Sequence, residues 1–507
     1  MFVRKKPNKQ GSVSVQIIDK SDGKYKVVKT VGCSSDQEEV GSLVAKANRD
    51  IPVLSRQYVI PLIPYEDKVI SSFFKSSKSF RISVIGPELI FGKLFERIGF
   101  DKIENELFRH LVIARLAYPG SKLRTVDYLK RYRGIEIDVS RIYRFMDVLN
   151  ETLKTEVEDI AFQYTKKILN DNISVVFYDM TTLYFEAEDE DDLRRIGYSK
   201  DGKFQCPQIM IGLLVGPNGY PIGYDIFEGN TFEGDTLIPV LEKFQKKFNL
   251  AKPTVIADAG LLSKDNLEKL AAKKYQYILG GRIKNEKHDI KEKILKLNIG
   301  ENGSGEILRG DGVRLVVTHS SQRAKKDEYS RTKGLEKLEA KIRGGKMTKQ
   351  QINNRGYNKY LKLEGEMDVS IDYDKIPEDK RWDGLKGYLT NTDLSADEIV
   401  KNYTNLWQIE KAFRISKTDL KVRPIFHRVK RRIEAHVCIS FVAYAIYKDL
   451  ERILYKHKAP FSAKRACDLS QTIYEIKYDL PNSKNQEKIT APMDVEQDIL
   501  CEIIEKS

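Results

Sequence analysis

Ile173-Ser174-Val175-Val176-Phe177-Tyr178-Asp179 is the stretch on which the fold of this 507-residue chain turns. Its apolar, β-branched run reads as a strand over 173–177 that ends in Tyr178-Asp179. Asp is depleted inside strands, so an Asp placed where an apolar strand stops is informative. Open sheets bind ligands beyond their strand ends, and such a carboxylate points into a usable crevice. The same placement recurs in Thr254-Val255-Ile256-Ala257-Asp258. Between the two, residues 208–215 and 220–227 flank the turn Gly216-Pro217-Asn218-Gly219 as a hairpin, and 235–248 reads as a helix. After Asp258, Ser263 or Asp265 starts a helix over 266–274, and a strand over 275–279 ends at Gly280-Gly281. A hairpin followed by alternating helix and strand predicts an α/β unit, a mixed sheet with helices on its faces. Either Asp taken alone also reads as a turn or cap residue.

On both sides of this unit the pattern changes. Residues 1–50 read as a small β-hairpin and helix, with strands at 12–17 and 25–31 across Ser21-Asp22-Gly23. Residues 51–169 are mainly helical, with three- and four-residue apolar spacing from Leu94 to Leu153 and a break at Pro119-Gly120 before the cap Ser121. Lys122, Arg124, Lys130, Arg131, Arg133, Arg141 and Arg144 fall on or between these helices. They read as solvated faces or as a DNA-binding module that neutralises phosphates. Residues 284–380 are polar and rich in Lys, Asn and Gly, with a strand-like run at 313–318 and a charged helix-prone stretch at 326–352, and read as an insertion. Residues 381–460 return to the core pattern, and 461–507 form a tail of unassigned role.

Composition narrows the function. Lys and Arg number 87 against 73 Asp and Glu, a net charge of +14 with a pI near 9.1, which favours polyanions, nucleic acid foremost. A 41% apolar content with 10% aromatics excludes wholesale disorder. Five scattered cysteines without a CxxC pair argue against a disulfide scaffold or zinc ribbon. The start carries charge without an apolar core behind it, and the apolar runs are far shorter than the roughly 18 residues of a membrane span. A cytoplasmic protein without membrane attachment is expected. The histidines show no ligand spacing, and His436 reads as a core residue.

A third carboxylate stands out in the helix expected over 397–420. Residues seven apart lie on nearly one helix face, which aligns Tyr403, Glu410 and Lys417, with Trp407 and Arg414 interleaved. The apolar stripe Ile399, Leu406, Ile409, Phe413 and Leu420 docks the helix. An ordinary exposed face would also carry Glu and Lys.

Together these segments resemble a known family. Tyr403-x-x-Leu406-x-x-x-Glu410-x-x-x-x-x-x-Lys417 is similar to the Tyr-Arg-Glu-Lys signature of prokaryotic insertion-sequence transposases of the DDE class. Residues 178–185, with Tyr178-Asp179-Met180-Thr181-Thr182, resemble that family's first-Asp segment, and Ile256-Ala257-Asp258-Ala259-Gly260 its second. Residues 223–236, Trp382-Asp383-Gly384 with Thr390-Asn391, and Arg423-Pro424-Ile425-Phe426-His427 resemble the intervening and following segments, in order. The chain departs from the signature at Leu406, where the family has Arg; Arg414 or Lys411 stands nearby as a replacement.

The resemblance implies an RNase H-like catalytic core, with an N-terminal helical region and an insertion domain between the second Asp and the Glu. It implies Asp179, Asp258 and Glu410 as catalytic ligands of two Mg²⁺ ions, with Mn²⁺ as a substitute; hard carboxylate oxygens suit these ions. Two such ions support in-line phosphoryl transfer. Cleavage at the element's end frees a 3′-OH, which attacks target DNA. Tyr403, Lys417, Arg414, Lys421, Arg423, Arg428 and Arg431 are the implied DNA contacts, with Lys430 and Arg432 extending the track. The partners are double-stranded DNA, as terminal inverted repeats and target, and a second copy in a synaptic homodimer. The alternatives are an RNase H-fold nuclease or resolvase that only hydrolyses DNA, an inactive transposase-derived DNA-binding protein, and, more remotely, a Tyr nucleophile at Tyr178 or Tyr184.

Overall fold

Strand β5, Val175–Tyr184, is the centre of the computed structural model, which describes the chain apart from residues 10, 56–79, 188, 200–201, 249–251, 262, 298, 310–311, 345–351, 354–355, 365–367 and 480–484. β5 runs longer than its apolar stretch predicts. It pairs antiparallel with β6, Gln208–Val215, from Phe177↔Val215 to Tyr184↔Gln208, while its other neighbour, the parallel β8, Thr254–Ala257, stops opposite Tyr178. Asp179 therefore lies inside β5 rather than at its end. It faces an open sheet edge only on the β8 side, where the ladder splits.

β7, Pro221–Glu228, completes the hairpin with β6, and β9, Tyr277–Gly281, lies parallel to β8. The order β7-β6-β5-β8-β9, three antiparallel strands followed by two parallel ones, is the RNase H-like arrangement. The sheet then continues through β14, Leu385–Thr390, β11, Arg314–His319, and β10, Ser304–Leu308, all antiparallel, to eight strands among the described residues. The segment between β9 and β14 thus contributes two strands to the main sheet. Its remainder has its own core of Leu338, Tyr360, Leu361 and Ile371 under the helix Ser321–Arg343; the expected helical stretch at 326–352 lies partly outside the described residues.

Period-2 alternation sorts each strand between two cores. Val176, Tyr178 and Met180 of β5 join Val255 and Ala257 of β8 under the helix Leu237–Phe248. Phe177, Leu183 and Ile256 face the other way, toward the helices Trp407–Arg414 and Lys430–Lys456. The latter helix is buried along most of its length, and the helices Glu106–Ala117 and Val139–Val148 pack around it. The helices Ala463–Ser470 and Val495–Glu505 of the tail add Leu469, Leu500 and Ile503 to the same core.

The chain divides into two compact units, Met1–Phe80 with Tyr478–Glu487, and Arg81–Lys477 with Lys488–Ser507. In the first, β2, Val13–Asp19, pairs with both β1, Phe2–Pro7, and β3, Lys26–Ser34, under the helix Gln37–Leu54, whose N-cap is Asp36. The charged start, which the two-strand reading of residues 1–50 does not include, forms β1 on the edge of β2. No described helix is long and apolar enough to cross a membrane.

Candidate active site

The two aspartates sit side by side. Tyr178 is in register with Ala257, so Asp179, inside β5, and Asp258, one residue past the end of β8, follow one position on in adjacent segments. Both have the parity of Phe177 and Ile256, which places them on the face covered by the Trp407–Arg414 helix. The row runs on across the sheet. Ala257 pairs with Leu279 and Gly280 with Tyr388, so Asp179, Asp258, Gly280 and Tyr388 form one line on one face.

Gly280 is the gap in that line. A Cβ there would stand 2.5 Å from the Tyr403 hydroxyl and 3.1 Å from the amide of Ala259. Its absence lets the Tyr403 ring settle against Tyr388, edge-on with centroids 4.9 Å apart. The Tyr403 hydroxyl then donates to Oδ1 of Asp258 at 3.2 Å. Burial, then the neighbouring Asp258 charge, raises the Tyr403 pKa, so the phenol stays protonated as a donor. Tyr403, expected at a phosphate, is in this structure engaged with a carboxylate.

Lys386 of β14 was not singled out in the sequence. Its ammonium lies 4.4 Å over the Tyr403 ring, and its charged neighbours include both Asp258 and Glu410. Burial lowers its pKa and the two carboxylates oppose that shift. Alternation puts Lys386 and Tyr388 on one face of β14, but which face holds the carboxylates depends on the sheet order. Glu410 is carried by the Trp407–Arg414 helix, which packs on this same face, and its charge also acts on Tyr403.

The helix that carries Glu410 differs from the expected continuous one. It is broken into Ala396–Thr404, capped by the box Ser395/Glu398, and Trp407–Arg414, and then widens into a π-type turn, Ile415–Asp419, that holds Lys417. Tyr403 and Lys417 thus flank Glu410 across two irregularities rather than along one straight face. Leu406, at the first break, is buried in the core, which explains why an apolar residue stands where the resembling signature has Arg. Lys411 pairs with Glu451 at 2.7 Å, whereas Arg414 is exposed.

Hard oxygens suit a divalent ion, and the register of Asp179 and Asp258 suits shared ligation. The full set is not closed: among the described residues no three Asp, Glu, His or Cys side chains converge tightly enough to hold one ion. Asp179 Oδ1 accepts from the Met180 amide at 2.7 Å.

The transposase DDE-domain family model matches residues 171–446, more than half of the chain, from just before β5 to within the Lys430–Lys456 helix. The chain belongs to this DDE transposase family. The matched segment contains Asp179, Asp258 and Glu410 and all eight strands of the mixed sheet. Among solved structures, the chain is similar to a piggyBac transposase in a synaptic complex with hairpin DNA seen by cryo-EM, at 11% identity and a TM-score of 0.39 over 76% of this chain and 78% of that one. No curated protein matches.

Several expected contacts of this transposase domain take defined places. Tyr178 is fully buried on the opposite face and donates to Thr236 Oγ1 at 2.9 Å, which removes it as a nucleophile. Lys417 borders a small cavity with Thr181 and Phe413. Arg423 lies 5.7 Å over the ring of Tyr184, at the end of β5. Lys421 and Arg428 are exposed. Arg431 and Arg432 both bind Asp147, at 2.9 and 2.8 Å, and tie two helices together. Asp383 is held by Arg331 through two bonds of 2.6 and 2.5 Å, which anchors the long insertion helix to the turn before β14.

Proposed function

We propose that the chain is a DNA transposase of a prokaryotic insertion sequence, which binds the ends of its element and catalyses metal-dependent strand cleavage and strand transfer. The observation that supports this most is the adjacency of Asp179 and Asp258 at the split between β5 and β8, under the helix that carries Glu410, within the family-matching segment.

Asp179, Asp258 and Glu410 would hold Mg²⁺, or Mn²⁺ in its place. When bound, two such ions neutralise charge on an in-line phosphoryl transfer. The chain's own groups prepare that chemistry. Clustered carboxylates repel one another, and Lys386 offsets part of that repulsion beside Asp258 and Glu410. Tyr403 holds Asp258 in one orientation by its hydroxyl. Lys417, Arg414, Lys421, Arg423 and Arg428 would position DNA phosphates, and Arg431 shares its charge with Asp147. Terminal inverted repeats and target duplex are the partners, and joining two ends calls for a second copy.

The test is cleavage and joining of a labelled duplex that carries the element's ends, with Mg²⁺. We expect nicked and strand-transfer products from the wild type, and a loss of about 10³-fold in Asp179→Asn, Asp258→Asn and Glu410→Gln. Full cleavage by all three variants would sink the assignment; cleavage without joining would favour a nuclease.

A further inference from the structure

A cavity of about 470 Å³ lies away from the carboxylate row, between the Ser121 turn and the segment after the Glu410 helix. Its walls include Lys122, Arg124, Lys421, Arg423, His427 and His436. Lys122 is only 4% exposed, and its ammonium makes no hydrogen bond or ion pair among the described residues. Burial first, and then Arg115, another cation, push the pKa of its ammonium well down, with no anion among the described residues to oppose them. Arg115 is itself 3% exposed; its Nη1 donates to the carbonyls of Leu420 and Lys421, at 3.4 and 3.2 Å, and its buried Nε has no partner among the described residues. The charged neighbours of His427 are Lys122, Arg115 and Arg432, again all cationic. Arg432 alone of these has a carboxylate, Asp147.

Burying an ammonium costs several kcal/mol unless it is paired. Natural interiors avoid this by supplying a counter-ion. Here the buried Lys122 lines a cavity together with the buried, neutral His427 and His436, Arg115 stands behind it, and among the described residues Lys122 is offered no anion. The cavity is large enough for a phosphate with part of its ester, and the exposed Arg124 and Lys421 border it. Arg423, which also lines it, reaches over Tyr184 at the end of the strand that carries Asp179.

We propose that this cavity is a phosphate-binding subsite in which Lys122 is the buried cation and Arg124 and Lys421 close on the same group from the solvent side. The phosphate is one of a DNA strand, which rests on the transposase reading; a free phosphate or phosphate monoester offers the same chemistry.

The experiment compares the full chain with Lys122→Met, which keeps the stem and removes the charge. Thermal unfolding is measured without DNA, in millimolar inorganic phosphate against chloride at equal ionic strength. The wild type is expected to gain Tm in phosphate by mass action, and Lys122→Met to lose that gain. An equal phosphate effect in both proteins overturns the subsite. Binding of a labelled duplex across salt concentrations then assigns the source. A slope of log K against log salt shallower by about one in Lys122→Met identifies a DNA phosphate, and an unchanged slope identifies a free one. If Lys122→Met does not fold, Arg124→Gln is read in the same two assays, with a smaller phosphate gain expected and an unchanged gain overturning the proposal. Because the phosphate assay needs neither DNA nor cleavage, its failure is separable from failure of the transposase reading, which Asp179→Asn tests.

Discussion

Asp258 is oriented by a tyrosine that reaches it only because residue 280 has no side chain. Gly280→Ala places a methyl 2.5 Å from the Tyr403 hydroxyl and 3.1 Å from the Ala259 amide, neither of which lies on a freely moving chain end. We expect a loss of about 1–3 kcal/mol in urea unfolding, the usual cost of overpacking, together with weaker Mg²⁺-dependent cleavage. Tyr403→Phe removes the hydrogen bond without the clash, so its stability should change less. Metal loading has its own readout: Mg²⁺ should raise the Tm of the wild type and leave that of Asp179→Asn unmoved, measured without DNA. Equal Mg²⁺ shifts would separate the carboxylate row from metal binding. The two aspartates were legible in the sequence because a carboxylate after an apolar run is rare. Lys386 was not, because a lysine in an exposed-looking strand gives no local signal of what lies across from it.

The Glu410 segment illustrates how an element differs from its periodicity. Heptad spacing of Tyr403, Glu410 and Lys417 predicts one straight helix, and the chain breaks it at Asn405-Leu406 and widens it at Ile415–Asp419. π-type turns occur where a helix must accommodate packing that a regular ladder cannot. The break buries Leu406 beside Ile409 and Ile399. Restoring the cation of the resembling signature by Leu406→Arg should therefore destabilise the fold by about 3 kcal/mol or more, since an unpaired guanidinium would enter the core. A variant with unchanged unfolding midpoint and raised activity would show instead that the side chain swings out to the DNA face. β5 makes the converse point. Its apolar stretch marks a strand to Phe177, but pairing with β6 carries it seven residues further, to Tyr184. Edge pairing is set by a partner some 30 residues on, which local propensity does not contain.

Across the whole molecule, acid sensitivity should trace to buried histidines more than to surface pairs. His427 and His436 are held neutral, His427 pushed down to about 3 from the usual 6.5, by burial first and then by Lys122 and Arg115. The folded value lies below the unfolded one, so the unfolded chain takes up the proton first as pH falls. The stability is fully present above about pH 6.5 and is lost progressively toward pH 3. Between pH 6.5 and 5, His427 alone should cost about 2 kcal/mol. Urea midpoints at the two pH values check this, and His427→Gln should flatten the profile. Asp147, lowered to about 2 chiefly by its bond from Arg432, should add its loss only below about pH 4.

The amino-acid order alone sufficed for the α/β class, the hairpin, the two aspartates, the Glu410 segment and the basic balance, because each is written in short-range periodicity or residue type. Local signals of that kind cannot say which strands become neighbours. The register of β5 with β8, the row from Asp179 to Tyr388, the seat of Tyr403 over Gly280 and the burial of Lys122 all depend on which segments meet across hundreds of residues. Those contacts were decided by the burial of two opposite apolar faces of one sheet, a property of the folded chain and not of any stretch within it.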